Sequence, residues 1–546
     1  MFINNINNSS DSSTNQKETN KQQPFLAYKT CLFVLKALFL APVFKFIFSI
    51  KIIPAGSLGI FSGSASCIYI QQFFSNSAST ISSLYRGRKT IFPGLSKKLM
   101  QSIRQPIAQN QFSSCNAIAC QNTIESFEWK KTLIQAADQN IVLSGNYCGG
   151  KAFDELLSMI KDQLEKKSQL KVVILSSDKF IDSSNREKIN HLMIAYSDRF
   201  QLIESSDIWT IGEKAKLSTN HSKILSIDYG KYFILGGSGI EDKYAYDNGL
   251  TNKKTFFSPH KAGLLHKILP RSFRDQDFVF HDEKEYKGVG GRVHLETIQL
   301  AYAWMHYNKS QEQGSVTEKI LLDQAINRPL PIVHTRIEQF HQNSNMNKDV
   351  EAKILFTGPE SINNVFEQEL IMQFDQATSR IVIDHMYFHP SQVVFDTLVN
   401  AANRGIPVTL ITNGYDKNSP MGHKAFGPRN RFNYIAFKNA VHKEYQENID
   451  IYEFKVHKTT LHKKVIIVDD TIIAGSSNFG YKSLGPNSDH EINFIAKSAS
   501  FAEQTLEAIK VDYRENYSKS TSKLTRMTIP ELARTVIHSL SAFSIG

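Results

Sequence analysis

What most constrains this chain is that it repeats itself. A short apolar run at 141–144 leads to Tyr147, and a similar run at 381–383 leads to Tyr387, 240 positions later. After the first run, Phe153, Leu156, Leu157 and Ile160 recur at helical spacing, and 170–175 is a second apolar stretch. After the second run, Phe395, Leu398 and Val399 mark a helix, and 408–411 the next strand. Apolar runs of strand length alternating with amphipathic helices specify an α/β sheet. Recurrence of the unit at constant offset specifies two copies of it. The expected fold class is α/β: two pseudo-symmetric lobes, each a mixed β-sheet flanked by helices, behind an N-terminal hydrophobic segment.

Each copy continues into the same polar pattern, His-x-Lys-x-x-x-x-Asp. In the first copy it is His221, Lys223 and Asp228; in the second, 241 positions on, it is His462, Lys464 and Asp469. Side chains two apart on an extended strand share a face, so each His and Lys point together into a cleft. One such match among 17 histidines is weak, but two at equivalent places in a repeat are not. Short return strands follow, then Gly236, Gly237, Ser238 and Gly239 in the first copy and Gly475, Ser476, Ser477 and Asn478 in the second. Downstream acids come last, Asp277 ahead of Phe278 and Glu491 ahead of Ile492, and by position these two match. Imidazole, ammonium, hydroxyl and amide groups converging on one point suit a phosphate diester. Lysine neutralises a non-bridging oxygen, the neutral donors hold the others, and a histidine attacks or protonates.

With those residues in place the chain resembles the phospholipase D superfamily, over roughly residues 116–517 and most closely in the second half. Within it the chain is similar to the branch of bacterial phospholipases D and cardiolipin synthases. The resemblance implies two similar lobes sharing one active site, with no metal and no cofactor. It implies a covalent phosphohistidine on His221, protonation of the leaving alcohol by His462, and Asp277 and Glu491 orienting the imidazoles. Water or an alcohol acceptor would then release the phosphatidyl group. His221, Lys223, Asp228, His462, Lys464 and Asp469 are the expected catalytic set. Ser476 and Asn478 are expected to bind phosphate, joined by the backbone at Gly237 and Ser238, because the first copy has Gly237 and Gly239 where Ser and Asn are usual.

The rest of the chain bears on partners. Residues 1–24 are too polar to bury a core and are expected to be a disordered tail. Residues 25–75 are rich in Phe, Leu, Ile and Val, punctuated by Lys29, Lys36, Lys45 and Lys51, which suits a membrane-associating hairpin or interfacial helix. A basic linker at 76–115 precedes the first lobe at 116–310. A polar connector at 311–350, the second lobe at 351–517 and a tail at 518–546 with a short amphipathic helix complete the expected order. The net charge of +11 favours anionic partners. Phospholipid at a membrane surface is the expected substrate, and nucleic acid the alternative; a catalytically weakened lipid-binding effector is the reading from a different class. The expected location is a bacterial membrane, or a host membrane reached by secretion. Five irregularly spaced cysteines read as reduced thiols. Lys455, His457 and Lys458 form a basic lead into the second motif, and 426–431 reads as a basic turn.

Overall fold

The computed structural model describes residues 111–177, 181–205, 219–250, 272–284, 287–307, 315–326, 346–358, 364–414, 421–484, 489–528 and a few beyond, up to 535. The expected tail at 1–24, the hydrophobic segment at 25–75, nearly all of the basic linker and most of the C-terminal helix lie outside them. Among the described residues no helix is long and apolar enough to cross a membrane.

The first half runs β1 (Ser113–Ala119), α1 (Thr123–Ala136), β2 (Asn140–Gly145), α2 (Gly150–Lys166), β3 (Lys171–Ser176), α3 (Ser183–Ala195), β4 (Phe200–Glu204), β5 (Ile224–Ile227), β6 (Tyr232–Gly236), β7 (Ser272–Arg274) and β8 (Asp277–His281). Helices α4 (Val289–Tyr307) and α5 (Val316–Ile326) follow. The second half runs β9 (Asn347–Thr357), α6 (Val365–Gln376), β10 (Ile381–His385), α7 (Gln392–Asn403), β11 (Val408–Asn413), α8 (Met421–Ala440), β12 (Ile449–Phe454), β13 (Thr459–Leu461), β14 (Lys464–Val468), β15 (Thr471–Gly475), β16 (Glu491–Lys497), α9 (Ala499–Asp512) and β17 (Ser518–Ser520).

Fifteen of these strands form one mixed sheet, ordered β17-β12-β11-β10-β14-β15-β16-β9-β1-β8-β6-β5-β2-β3-β4. Apart from β17 the order reads the same from either end, element for element. The sheet does not divide where the repeat does: β1 and β9 pair antiparallel, with Cys115 opposite Val350 and Ser113 opposite Ala352. An edge strand left unpaired exposes a row of amide and carbonyl groups, and joining the two edges removes that cost.

Local sequence accounts for the elements. In β2, Ile141 and Leu143 pack into one core cluster and Val142 into another across the sheet. That two-sided burial is what a continuous apolar run in parallel strands requires, and β2-β3-β4 are parallel, as are β10-β11-β12. The stripe Phe153, Leu156, Leu157, Ile160 is wholly buried along α2. Asn122 caps α1 by accepting from Ile124 N and Glu125 N, and Asn364 caps α6 in the same way from Phe366 N and Glu367 N. Such caps contribute about 1 kcal/mol each.

Two expectations are corrected. The stretch 311–350 is not only a connector: it contains α5, whose Ile320 and Leu321 are buried against Trp304 of α4. The apolar positions there outweigh the polar average that the sequence reading relied on. Residues 426–431 are not a turn but part of α8, despite Pro428 inside it. Asn430 explains the tolerance. Its side chain accepts from Phe388 N (3.0 Å) and donates to Met386 O (3.2 Å) and Asn413 O (3.0 Å), fastening the helix to the ends of β10 and β11.

Candidate active site

Each motif histidine is delivered by the opposite half of the chain. Strand β13 pairs in parallel with β7, and His462 N then donates to Arg274 O (2.7 Å). Asn220 bridges in parallel to His490, and His221 N donates to His490 O (2.9 Å). Neither half could place its own histidine without the other.

The same crossing brings a carboxylate to each imidazole. His221 Nδ1 lies 3.0 Å from both oxygens of Glu491, and His462 Nδ1 lies 2.5 Å from Asp275 Oδ2. With Nδ1 engaged, Nε2 is the nitrogen left for chemistry on each ring. The two rings are within electrostatic reach of one another. Lys223 Nζ donates to His221 O (2.7 Å), Lys464 Nζ donates to His462 O, and Lys464 Nζ is 3.0 Å from His462 Nδ1. All four motif side chains are buried. Burial lowers the proton affinity of both lysines, Lys464 to about 7, and the histidines are lowered too, by burial first and by the lysines as well. Such a cationic cluster is at ease only when an anion enters it.

The acid beside His462 is Asp275, not Asp277. Asp277 accepts from Lys130 Nζ (2.5 Å), from Ser126 Oγ and from Ser238 N (3.0 Å), and touches neither motif histidine. Sheet register shows why counting from the following apolar run failed. Gly236 stands opposite Asp277 as Gly475 stands opposite Asn493, so two residues upstream Asp275 is the counterpart of Glu491. The glycine-serine segment, not the apolar run, was the alignment signal that would have found it.

Asp228 and Asp469 lie outside the site. Each sits at the far end of its strand in the left-handed region, φ 51° and 54°, and turns its carboxylate onto the backbone that opens β2 or β10. Asp228 accepts from the amides of Asp138, Gln139 and Asn140, and Asp469 from those of Thr378, Ser379 and Arg380. They tie the strands that carry the lysines to the openings of β2 and β10.

The proposed phosphate binders divide. Ser476 Oγ donates to Glu491 Oε2 (2.6 Å), and Ser483, which the sequence reading did not single out, donates to Oε1 (2.6 Å). Both therefore hold the carboxylate. Although burial opposes it, His221, Lys223 and Ser476 keep Glu491 ionised, with its pKa near 2. Gly237 is glycine for a steric reason: a Cβ there would lie 2.2 Å from Asp275 Oδ1. Aspartate is one methylene shorter than glutamate, so its carboxylate sits where a serine side chain would stand. Ser238 is held through its amide by Asp277, so it shapes the loop. Asn478 is buried, and only its Nδ2 could donate to a phosphate oxygen, its unpaired Oδ1 being an acceptor. Burial raises Asp275 to about 7, against the pull of Lys464, while burial and the lysines lower His462 well below its ordinary value, so the proton the pair holds below about 7 lies on Asp275 and the ring is neutral.

Aromatic rings wall the site. Phe273 and Tyr244 lie 4.9 and 5.7 Å from the His462 ring, centroid to centroid, and Lys243 lies over Phe273 and Tyr147. Tyr147 and Tyr387 are cleft walls within electrostatic reach of each other.

Comparison with known proteins follows the same lines. A family model described as the PLD-like domain of cardiolipin synthase matches residues 370–512. The chain is similar to cardiolipin synthase A of Buchnera aphidicola subsp. Schizaphis graminum, 26% identical over 175 residues, covering 31% of this chain and 32% of that protein. It is similar to cardiolipin synthase B of Salmonella typhi, 27% identical over 198 residues, covering 36% of this chain and 44% of that one. The matches thus span about a third to under a half of those relatives' lengths. Among solved structures, phosphatidylserine synthase of Haemophilus influenzae Rd KW20 shares the fold at TM-score 0.56 and 14% identity, over 82% of this chain and 99% of that one. Together with the repeated motif, these matches support membership of the phospholipase D superfamily.

Proposed function

We propose that this chain is a phosphodiesterase and phosphatidyltransferase acting on phospholipids, working as two pseudo-symmetric lobes around one site. The observation that carries the reading is the crossed pairing of each motif histidine with an acid from the other half, flanked by two buried lysines. That arrangement can hold one diester between two imidazole–carboxylate pairs of unlike proton load. The named relatives, two cardiolipin synthases and a phosphatidylserine synthase, support a phospholipid substrate.

In the proposed cycle His221 Nε2 attacks phosphorus while the bond to the departing alcohol breaks. The proton on His462 Nε2 passes to the departing oxygen, which therefore leaves as an alcohol. Glu491, ionised, keeps the His221 proton on Nδ1 and stabilises the positive charge that builds on the ring. Lys223, Lys464 and Asn478 hold the non-bridging oxygens. Water or an alcohol then attacks phosphorus, gives its proton to His462, and the N–P bond breaks with its electron pair returning to His221. The segment at 25–75 would bring the site to anionic lipid.

Histidine replacement tests the division of roles. His221→Ala should form no phosphoenzyme. His462→Ala should lose roughly 10²–10⁴-fold on a phospholipid with a poor leaving group and recover much of that on a nitrophenyl ester, which departs unprotonated. Mass-spectrometric mapping of trapped phosphate to His462 would reverse the assignment. Cleavage of single-stranded DNA in preference to phospholipid would replace the substrate class.

A further inference from the structure

Among the described residues, several cations that flank the motif lysines are ion-paired. Lys243 meets Glu241 (2.7 Å), Arg274 meets Asp512 (2.6 Å), and Lys463 lies between Asp384 (3.2 Å) and Asp512. Arg431 is bound by Glu453 (2.6 Å) and Glu531. Arg429, two residues earlier on α8, has no carboxylate partner among the described residues. Its electrostatic neighbours are Tyr387 and His389, and burial lowers its affinity for the proton, to about 10. A half-buried guanidinium without a counter-ion carries part of the desolvation cost, which an entering anion would offset.

Its place is fixed. Asn430 and Asn433 tie this turn of α8 to Met386 and Phe388, and Met386 N donates to Lys463 O, the residue between His462 and Lys464. His389 is within electrostatic reach of His385, which stands opposite Lys464 in the β10–β14 ladder. Tyr387 stacks on His389 at 5.4 Å. Guanidinium, imidazole and phenol therefore stand beside the second-half motif. At the equivalent positions of the first half, Gly145 and Gly149 replace His385 and His389. The feature belongs to one side only, the side of His462.

We propose that Arg429, with Tyr387 and His389, is a second anion subsite that receives a phosphate carried by the alcohol partner, while the reacting diester lies between His221 and His462. This rests on the phosphodiesterase reading. The leaving and entering alcohols both exchange a proton with the same acid, so both occupy the His462 side, where Arg429 stands. A guanidinium with two further donors suits the tetrahedral oxygens of a phosphate.

The test compares acceptors. The full chain, with phosphatidyl-p-nitrophenol as donor, is offered glycerol or glycerol 3-phosphate, and the ratio of kcat/KM for the two acceptors is measured. Arg429→Gln should lower the preference for glycerol 3-phosphate roughly ten- to a hundred-fold, the range of a charge-assisted hydrogen bond. Arg429→Lys should restore part of it, since ammonium keeps the charge but not the fork. An unchanged ratio overturns the subsite even if both rates fall, because folding damage lowers both together. If the wild-type chain turns over no donor, the phosphodiesterase reading has failed. Calorimetric titration with glycerol 3-phosphate then decides alone: equal binding by wild type and Arg429→Gln overturns the subsite, and weaker binding by the variant upholds it.

Discussion

Replacing Asp275 and Asp277 separately by asparagine distinguishes two carboxylates that are two residues apart and do different things. Asp275 Oδ2 is 2.5 Å from His462 Nδ1 and is the group that shares a proton with that ring. Asp275→Asn keeps the shape but removes the acid that can pass its proton to Nδ1 as Nε2 gives one up. The cost should fall on proton donation, roughly 10²–10⁴-fold in kcat for a phospholipid whose alkoxide needs protonating. With a nitrophenyl leaving group most of that loss should disappear. Asp277 instead neutralises Lys130 in a buried ion pair at 2.5 Å and holds the Ser238 amide. Asp277→Asn leaves the Lys130 ammonium buried without its counter-charge, which typically costs about 3–5 kcal/mol. That loss should appear in urea melts and be indifferent to the leaving group. Steady-state rates on the two substrates, beside an unfolding curve for each variant, separate the outcomes. Leaving-group dependence in Asp277→Asn, and none in Asp275→Asn, would refute the register argument and return the orienting role to Asp277.

Further outcomes follow from the same geometry. With the Asp275 pKa raised to about 7, the His462–Asp275 pair holds its proton below that pH and loses it as the pH rises through it. The kcat for phospholipid should therefore fall above about pH 7, and a nitrophenyl diester should show a flatter profile. Asp469→Asn should cost about 1 kcal/mol at neutral pH, because that carboxylate is held at about 2 against burial by Ser379, Arg380 and Thr378. Its contribution is present above the unfolded pKa and lost as pH falls toward 2. Asp228→Asn should cost less at neutral pH, since burial raises Asp228 to about 6 and its ionised form is the disfavoured one; melts of both variants across pH check the pair. Removing residues 1–75 should release the chain from anionic vesicles in a sedimentation assay while a soluble diester is still cleaved, and undiminished sedimentation would show that the anchor lies elsewhere.

The repeat was legible because it is written in residues whose burial is forced. Ile141 to Leu143 and Ile381 to Ile383 can only be inner strands, and the helix stripe of α2 followed from spacing alone. His221, Lys223, His462 and Lys464 were legible because the motif occurs twice. What failed did so for want of register. A sequence shows that an acid lies near a strand start but not which residue faces the histidine, since one or two positions along a strand change face and neighbour. Asp228 and Asp469 were read as catalytic because the motif contains them, yet the four strand residues between lysine and aspartate take the carboxylate to the other end of the strand. Ser483 carries no pattern at all; only the folded chain brings it to Glu491. The exchange of partners between halves was invisible for the same reason, being a matter of which strand bridges which.

A two-fold repeat gives two histidines the same backbone, so their different duties have to come from what surrounds them. On the His221 side, Ser222 and Ser144 share a 2.7 Å hydrogen bond and Asn220 joins them, a neutral foundation. On the His462 side the equivalent residues are Lys463 and Asp384, tied to Asp512 and Arg274, a buried charged one. The acids diverge as well. Glu491 is long enough to accept from two serines and stays ionised near 2, whereas Asp275 is short, reaches no serine, and is pushed to about 7 by burial. Pairs of titratable groups driven apart in this way mark acid and base in a shared site. An ionised Glu491 favours a neutral His221 with its proton on Nδ1 and Nε2 free to attack, while a protonated Asp275 donating to Nδ1 favours the His462 tautomer that carries its proton on Nε2. The sequence difference that sets this up is small: one methylene between Asp275 and Glu491, and the Gly237 that the shorter acid obliges.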